Sequence, residues 1–131
     1  MTKFLGVDYG RRKIGLAIAD GPLAEPLKVV RVSPVGGVVS EVARVVEVEN
    51  VEKVVVGISE GVMGEESKDF SLSLSRELDI PVETFDETLT TQDAQKMAIE
   101  AGISRKKRKS LEDAFAATVM LQSYLEKKEH V

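Results

Sequence analysis

Apolar positions recur along this chain with two different periods. Over residues 3 to 9 they alternate: Phe4, Gly6 and Asp8 fall on one face of an extended segment, and Leu5, Val7 and Tyr9 on the other. "KIGLAIAD" from Lys13 to Asp20 is a second strand, so close that the two predict an antiparallel hairpin, with Gly10 and Gly15 assigned to its tight turns. "LKVVRV", ending at Val32, is a third strand after the turn material "DGPLAEP". From Gly36 the period becomes helical, with Val38, Val39, Val42, Val45 and Val46 on one face to about Asn50, although valine is a poor helix former. "KVVVGI" is a continuous apolar run of buried-strand type. Glu65 to Leu78 predicts a helix with Phe70, Leu74 and Leu78 on one side, and "IPVETFD" a fifth strand ending near Asp86. Thr90, with Asp93 three residues on, caps a helix ending near Gly102. Leu111 to Lys127 is the last helix, with Leu111, Phe115, Leu121 and Leu125 among its core positions.

Three strands in a meander followed by strand–helix crossovers predict an α/β fold. Its five-stranded mixed sheet has a three-strand antiparallel meander plus two parallel strands, with helices on both faces. No repeat or linker divides residues 1–131, so one domain is expected. The ends of the first, fourth and fifth strands converge at one sheet edge, where open α/β sheets place their sites.

Composition narrows the chemistry. No apolar run approaches the roughly 18 to 20 residues of a membrane span, so no membrane partner is expected. "KFLGVDYG" lacks the features of a secretion signal, and cysteine is absent, which together predict a cytoplasmic protein without thiolate metal sites or cysteine nucleophiles. The only histidine is His130. The net charge is −4, yet cations cluster at Arg11, Arg12 and Lys13 and again at Arg105, Lys106, Lys107, Arg108 and Lys109, two loops suited to nucleic-acid phosphates.

Against these cations stand acids whose positions ask for an explanation. Asp8 lies in a strand covered on both sides, where a carboxylate needs a cation or strong donors; Lys13 or a neighbouring arginine is one candidate partner. Asp86 and Glu87 end the fifth strand, where acids also cap helices, and Ser110 with Asp113 matches a capping box. Singly each has a structural reading. Together, Asp8, Glu87 and Asp113 reach one sheet edge, and hard oxygen ligands without histidine or cysteine suit a pair of Mg²⁺ or Mn²⁺ ions. Such a pair activates water and steadies the leaving oxygen in phosphodiester hydrolysis.

Blocks in order, "GVDYGRRKIGLAIAD", "VVVGI" with Gly64 and Phe70, "DETLTT" and "KSLEDAFAATVMLQSYL", resemble the YqgF family, also called RuvX, over nearly the whole length. The resemblance implies a ribonuclease H-like fold and a nuclease maturing the 5′ end of pre-16S ribosomal RNA, or a Holliday-junction resolvase. It carries the catalytic and metal-binding acids onto Asp8, Glu87 and Asp113, with Asp86 as an adjacent helper. Glu60, an additional acid near the same edge, reads first as a solvated loop residue and second as a further accessory. Three positions depart from the family pattern: Ser59 replaces a usual proline, Thr88 an arginine after the Asp-Glu pair, and Lys13 a common arginine. Losing the arginine fork at 88 weakens the grip on phosphate.

The leading expectation is therefore a divalent-metal nuclease for structured RNA, as monomer or homodimer, with branched DNA as the alternative substrate. A non-catalytic nucleic-acid-binding or ribosome-assembly protein on the same fold is the competing class. An ATPase of the actin and sugar-kinase kind shares the "DYG" hairpin but needs a second lobe for which this chain has no room.

Overall fold

A computed structural model describes residues 2–32, 37–90, 92, 96 and 112–129. The chain opens with a meander of β1 (Lys3–Asp8), β2 (Lys13–Asp20) and β3 (Ala24–Arg31). Then come α1 (Val38–Val48), β4 (Lys53–Ile58), α2 (Val62–Glu77), β5 (Val82–Asp86), a single 3₁₀ turn at Glu87–Leu89, and α3 (Glu112–Glu129). One five-stranded sheet has the order β3-β2-β1-β4-β5, with β1, β4 and β5 mutually parallel and β2 antiparallel to both its neighbours. The mixed sheet expected from the sequence is thus observed. Gln92 and Lys96 are helical, and the rest of the helix expected from Thr90 to Gly102 lies outside the described residues.

Strand alternation sorts the apolar side chains into two layers. Leu5, Val7, Ile14, Leu16, Val54 and Val56 face α1 and α2, where Val42, Phe70 and Leu74 meet them. Phe4, Ala17, Val55 and Phe85 face α3 and pack on Ala117, Met120, Leu121 and Tyr124. The valines of α1 disfavour a helix in isolation, but burying Val42, Val45 and Val46 returns roughly 1.5–3 kcal/mol each, well above the propensity cost of a few tenths.

Two details of the fold bear on the site. A Cβ on Gly6 would stand 2.9 Å from Leu121 Cβ and 3.3 Å from the Ala117 carbonyl oxygen, so glycine there lets α3 lie directly on β1. One residue further along that helix the buried Gln122 side chain accepts from the Ala24 amide at 2.8 Å and donates to the Pro22 carbonyl at 3.1 Å, tying α3 to the β2–β3 turn. Two sequence expectations need correction. Gly15 is not in the hairpin turn but inside β2, opposite Asp8. Helix α2 starts at Val62 rather than Glu65, because Gly61 takes a positive φ of 77° and begins the helix one turn earlier.

Candidate metal and nucleic-acid site

Because β1, β4 and β5 are parallel, their C-terminal ends share one edge of the sheet. Asp8 closes β1 there, half-buried, and by alternation it belongs to the face that carries Phe4 and Gly6 under α3. Its register partners are both glycines, Gly15 on β2 and Gly57 on β4, so no side chain flanks it on either neighbouring strand. The space above Gly57 is taken by Glu87. A Cβ on Gly57 would overlap the Glu87 Oε1 and come within 2.8 Å of its Cγ and 2.9 Å of its Cδ. The 3₁₀ turn after β5 therefore folds Glu87 back across the sheet edge to the strand beside Asp8.

Asp8 and Glu87 line one cleft of about 330 Å³ together with Thr90, Phe115, Ala116, Val119 and Met120. Asp113 stands in the first turn of α3, one turn before Ala116 and Ala117 and two before Met120, on the stripe of the helix that carries the cleft-lining residues. Its side chain lies outside the described residues, as does Ser110, its proposed capping partner. Among the described residues no group of three or more acidic or histidine side chains forms a ready metal cage. What the described part supplies is two hard carboxylates brought to one cleft by a missing side chain, a donor set that fits Mg²⁺ or Mn²⁺.

Asp86 and Glu60 sit elsewhere. Asp86 pairs in register with Ile58 and so faces α2, the opposite side of the sheet from Asp8. Its Oδ1 accepts the Thr88 hydroxyl at 2.7 Å and the Thr88 amide at 2.9 Å, which holds its pKa below the ordinary carboxylate range. Asp86 is the cap of the turn that delivers Glu87. Thr88, which replaces an expected phosphate-binding arginine, is the donor that completes that cap. Glu60 is exposed and lines a second cleft of about 430 Å³ with Glu65, Lys68, Thr84 and Asp86.

The first cationic cluster divides in two. Arg11 reaches back to α2, where its Nε donates to both carboxylate oxygens of Glu66, at 2.9 and 3.2 Å. Arg12 and Lys13 are exposed at the start of β2. Arg105 to Lys109 lie outside the described residues. Sequence reasoning missed Gly57 and Glu66, whose roles depend on strand register and on a pairing across the chain. The Asp86–Thr88 turn is local, and an Asp two residues before a threonine is a readable signal for it.

A family model described as RuvX, Holliday junction resolvase, matches residues 2–127. This chain belongs to the RuvX family. Among curated RuvX-like relatives, a protein of Natranaerobius thermophilus named "Putative pre-16S rRNA nuclease" is 36% identical over 133 aligned positions, covering 95% of this chain and 94% of that one. A Bacillus pumilus protein of the same name is 34% identical, covering 95% of this chain and 97% of its own length. Among solved structures, Thermus thermophilus RuvC in complex with a Holliday junction substrate superposes with a TM-score of 0.67 at 16% identity, covering 98% of this chain and 96% of that one. The Fowlpox virus resolvase with Holliday junction DNA gives 0.62 at 18% identity, covering 97% and 99%. These superpositions identify the RuvX chain's fold as ribonuclease H-like. No described helix is long and apolar enough to cross a membrane.

Proposed function

We propose that this RuvX protein is a divalent-metal-dependent nuclease that matures the 5′ end of pre-16S ribosomal RNA in the cytoplasm. Hydrolysis of phosphodiester bonds is the chemistry of the nucleases it is related to. The observation that carries the reading is Glu87 lying over Gly57 beside Asp8, two carboxylates from distant parts of the chain placed at one cleft.

Asp8 and Glu87, with Asp113 from the first turn of α3, are the residues that would hold the ions. When bound, two such ions lower the pKa of a water and neutralise charge on the leaving oxygen. The chain's own part is positional. β1 fixes Asp8 rigidly, the Asp86-capped turn sets Glu87, and α3 closes the cleft over them. Arg12 and Lys13 at the mouth of the β1–β2 turn, and the 105–109 run, neutralise flanking phosphates.

The family description names a Holliday junction resolvase, and branched DNA is the second reading. Purified protein is incubated with pre-ribosomal RNA, single-stranded RNA, duplex DNA and four-way junctions, in Mg²⁺, Mn²⁺ or chelator, beside Asp8→Asn. Metal-dependent cutting of the pre-ribosomal RNA, lost in the variant, is the expected result. Cutting of the junction alone transfers the assignment to DNA. No cutting of any substrate, or an active variant, removes the nuclease.

A further inference from the structure

At the edge of the sheet where Asp8 ends β1, three cations gather. Lys13 opens β2 and Arg31 closes β3, and the two are direct register partners across the antiparallel ladder. Gly15, the partner of Asp8, is two residues from Lys13 on β2, so alternation puts Asp8, Lys13 and Arg31 on one face of the sheet, the face under α3. Arg12 adjoins them. Its carbonyl accepts from the Val32 amide at 2.8 Å, which ties the β1–β2 turn to the end of β3. Arg11 holds the other side of the same turn through Glu66. Arg12, Lys13 and Arg31 are exposed, and among the described residues none of them forms an ion pair.

A lone surface cation needs no explanation, but like charges directly opposite in an antiparallel pair weaken the sheet. Elsewhere this chain meets a cation with an acid: Glu41 lies 4.0 Å from Lys28 of the same strand β3, and Glu83 lies 2.8 Å from Lys53. At a net charge of −4 acids are in surplus, yet the Lys13 and Arg31 pair has none. A ligand with closely spaced negative charges offsets such a pair, and a nucleic-acid backbone is one. The layout favours a backbone over a single small anion. β3 lies two strand spacings, roughly 10 Å, from β1, so the cations run sideways from the acids rather than enclosing a point. We infer that Arg31, with Lys13 and Arg12, forms a phosphate track leading from the cleft of Asp8 and Glu87 across β2 to β3, with Arg31 on a backbone phosphate that flanks the one at the acids. This inference rests on the nuclease reading of the cleft and adds to it a contact residue and the direction in which the bound strand leaves.

The test is binding, measured by fluorescence anisotropy over a salt series, in chelator so that no strand is cut. Its probes are a short end-labelled RNA strand and the DNA strand of the same sequence. Arg31→Ala lowers the slope of log affinity against log salt by about 0.7, one phosphate contact on a single strand, and affinity falls about five- to tenfold at about 50 mM salt. Arg76→Ala, which removes an exposed cation from the last turn of α2, leaves the slope unchanged. Because Arg31→Ala separates two facing like charges, its Tm is equal to or above that of wild type, so the lost slope is not a lost fold. Loss of slope in Arg31→Ala and not in Arg76→Ala, with RNA, DNA or both, supports the inference. A wild-type slope in Arg31→Ala with both strands, an equal loss in Arg76→Ala, or no binding of either strand by the wild-type protein overturns it. Failure of the nuclease reading is separate: it appears as absence of cutting in Mg²⁺ or Mn²⁺ while the Arg31-dependent slope persists in chelator.

Discussion

Glu87 occupies the space that a side chain on Gly57 would need, and Gly57 is the strand neighbour of Asp8. The approach of the two carboxylates therefore depends on a hydrogen atom at position 57. Gly57→Ala forces Glu87 out of its place at a packing cost of about 1 kcal/mol. A shift of about 1 Å in a residue proposed to hold the ions reduces turnover about 100-fold. Steady-state cleavage beside a thermal melt separates the two effects, and a Gly57→Ala enzyme with full activity would contradict the arrangement.

Metal binding can be read without catalysis. Mg²⁺ or Mn²⁺ at about ten times its dissociation constant stabilises the folded protein by about 1.4 kcal/mol, seen as a rise in Tm that chelator reverses. Asp8→Asn loses the rise and lowers cleavage by about 100-fold or more. A variant whose Tm still responds fully to metal places the ions elsewhere.

Thr88→Arg restores a phosphate fork beside Glu87. The variant binds nucleic acid more tightly at low salt, and the slope of log affinity against log salt steepens by about 0.7–0.9, one added phosphate contact. The same change removes the 2.7 Å hydroxyl bond to Asp86, so the Asp86 pKa rises toward its ordinary value in a carboxyl NMR titration.

At the opposite end of the sheet Lys53 donates to Glu83 at 2.8 Å, and the Tyr124 hydroxyl donates to the other oxygen of the same carboxylate. Lys53 first and Tyr124 second lower the Glu83 pKa, whereas the Lys53 pKa is raised, chiefly by Glu83. A lowered carboxylate stabilises the fold above its unfolded pKa of about 4.3, and the contribution disappears as pH falls through the folded value. The raised lysine does the reverse, contributing fully below its unfolded pKa of about 10.4 and losing its contribution as pH climbs through the folded one. Glu83→Gln is thus less stable than wild type at pH 7 by roughly 0.5–1 kcal/mol, a partly exposed pair being screened by solvent. The two proteins converge in urea unfolding as pH is lowered below the folded Glu83 pKa.

Gly6→Ala tests the seat of α3. The added methyl meets Leu121 Cβ at 2.9 Å and costs about 1–3 kcal/mol in urea unfolding. Leu121→Ala in the same chain keeps the clashing Cβ and does not recover the loss.

Strand faces were readable because their period is two: Phe4, Gly6 and Asp8 share a face as their spacing requires, and Lys13–Asp20 is a strand with the expected bounds. Helical spacing located α1 and α3 for the same reason. Register was not readable. Nothing in "VVVGI" says that its glycine lies opposite Asp8, and only that pairing explains why Glu87 reaches the site. Asp86 and Glu87 are adjacent in sequence and similar in chemistry, yet strand alternation sends Asp86 to the α2 face and the following turn brings Glu87 back over Gly57. Arg11 likewise resembled a phosphate contact until its carboxylate partner, Glu66, came from a helix far along the chain.

Gln122 joins the last helix to Ala24 and Pro22 across about a hundred residues of sequence. Contacts so remote form late, since each must wait for the intervening polypeptide. During synthesis the sheet face of Phe4, Ala17, Val55 and Phe85 has no cover until α3 leaves the ribosome, and the cleft lacks its Phe115 wall for as long. The cleft is therefore finished only once α3 has been made and has docked on that face.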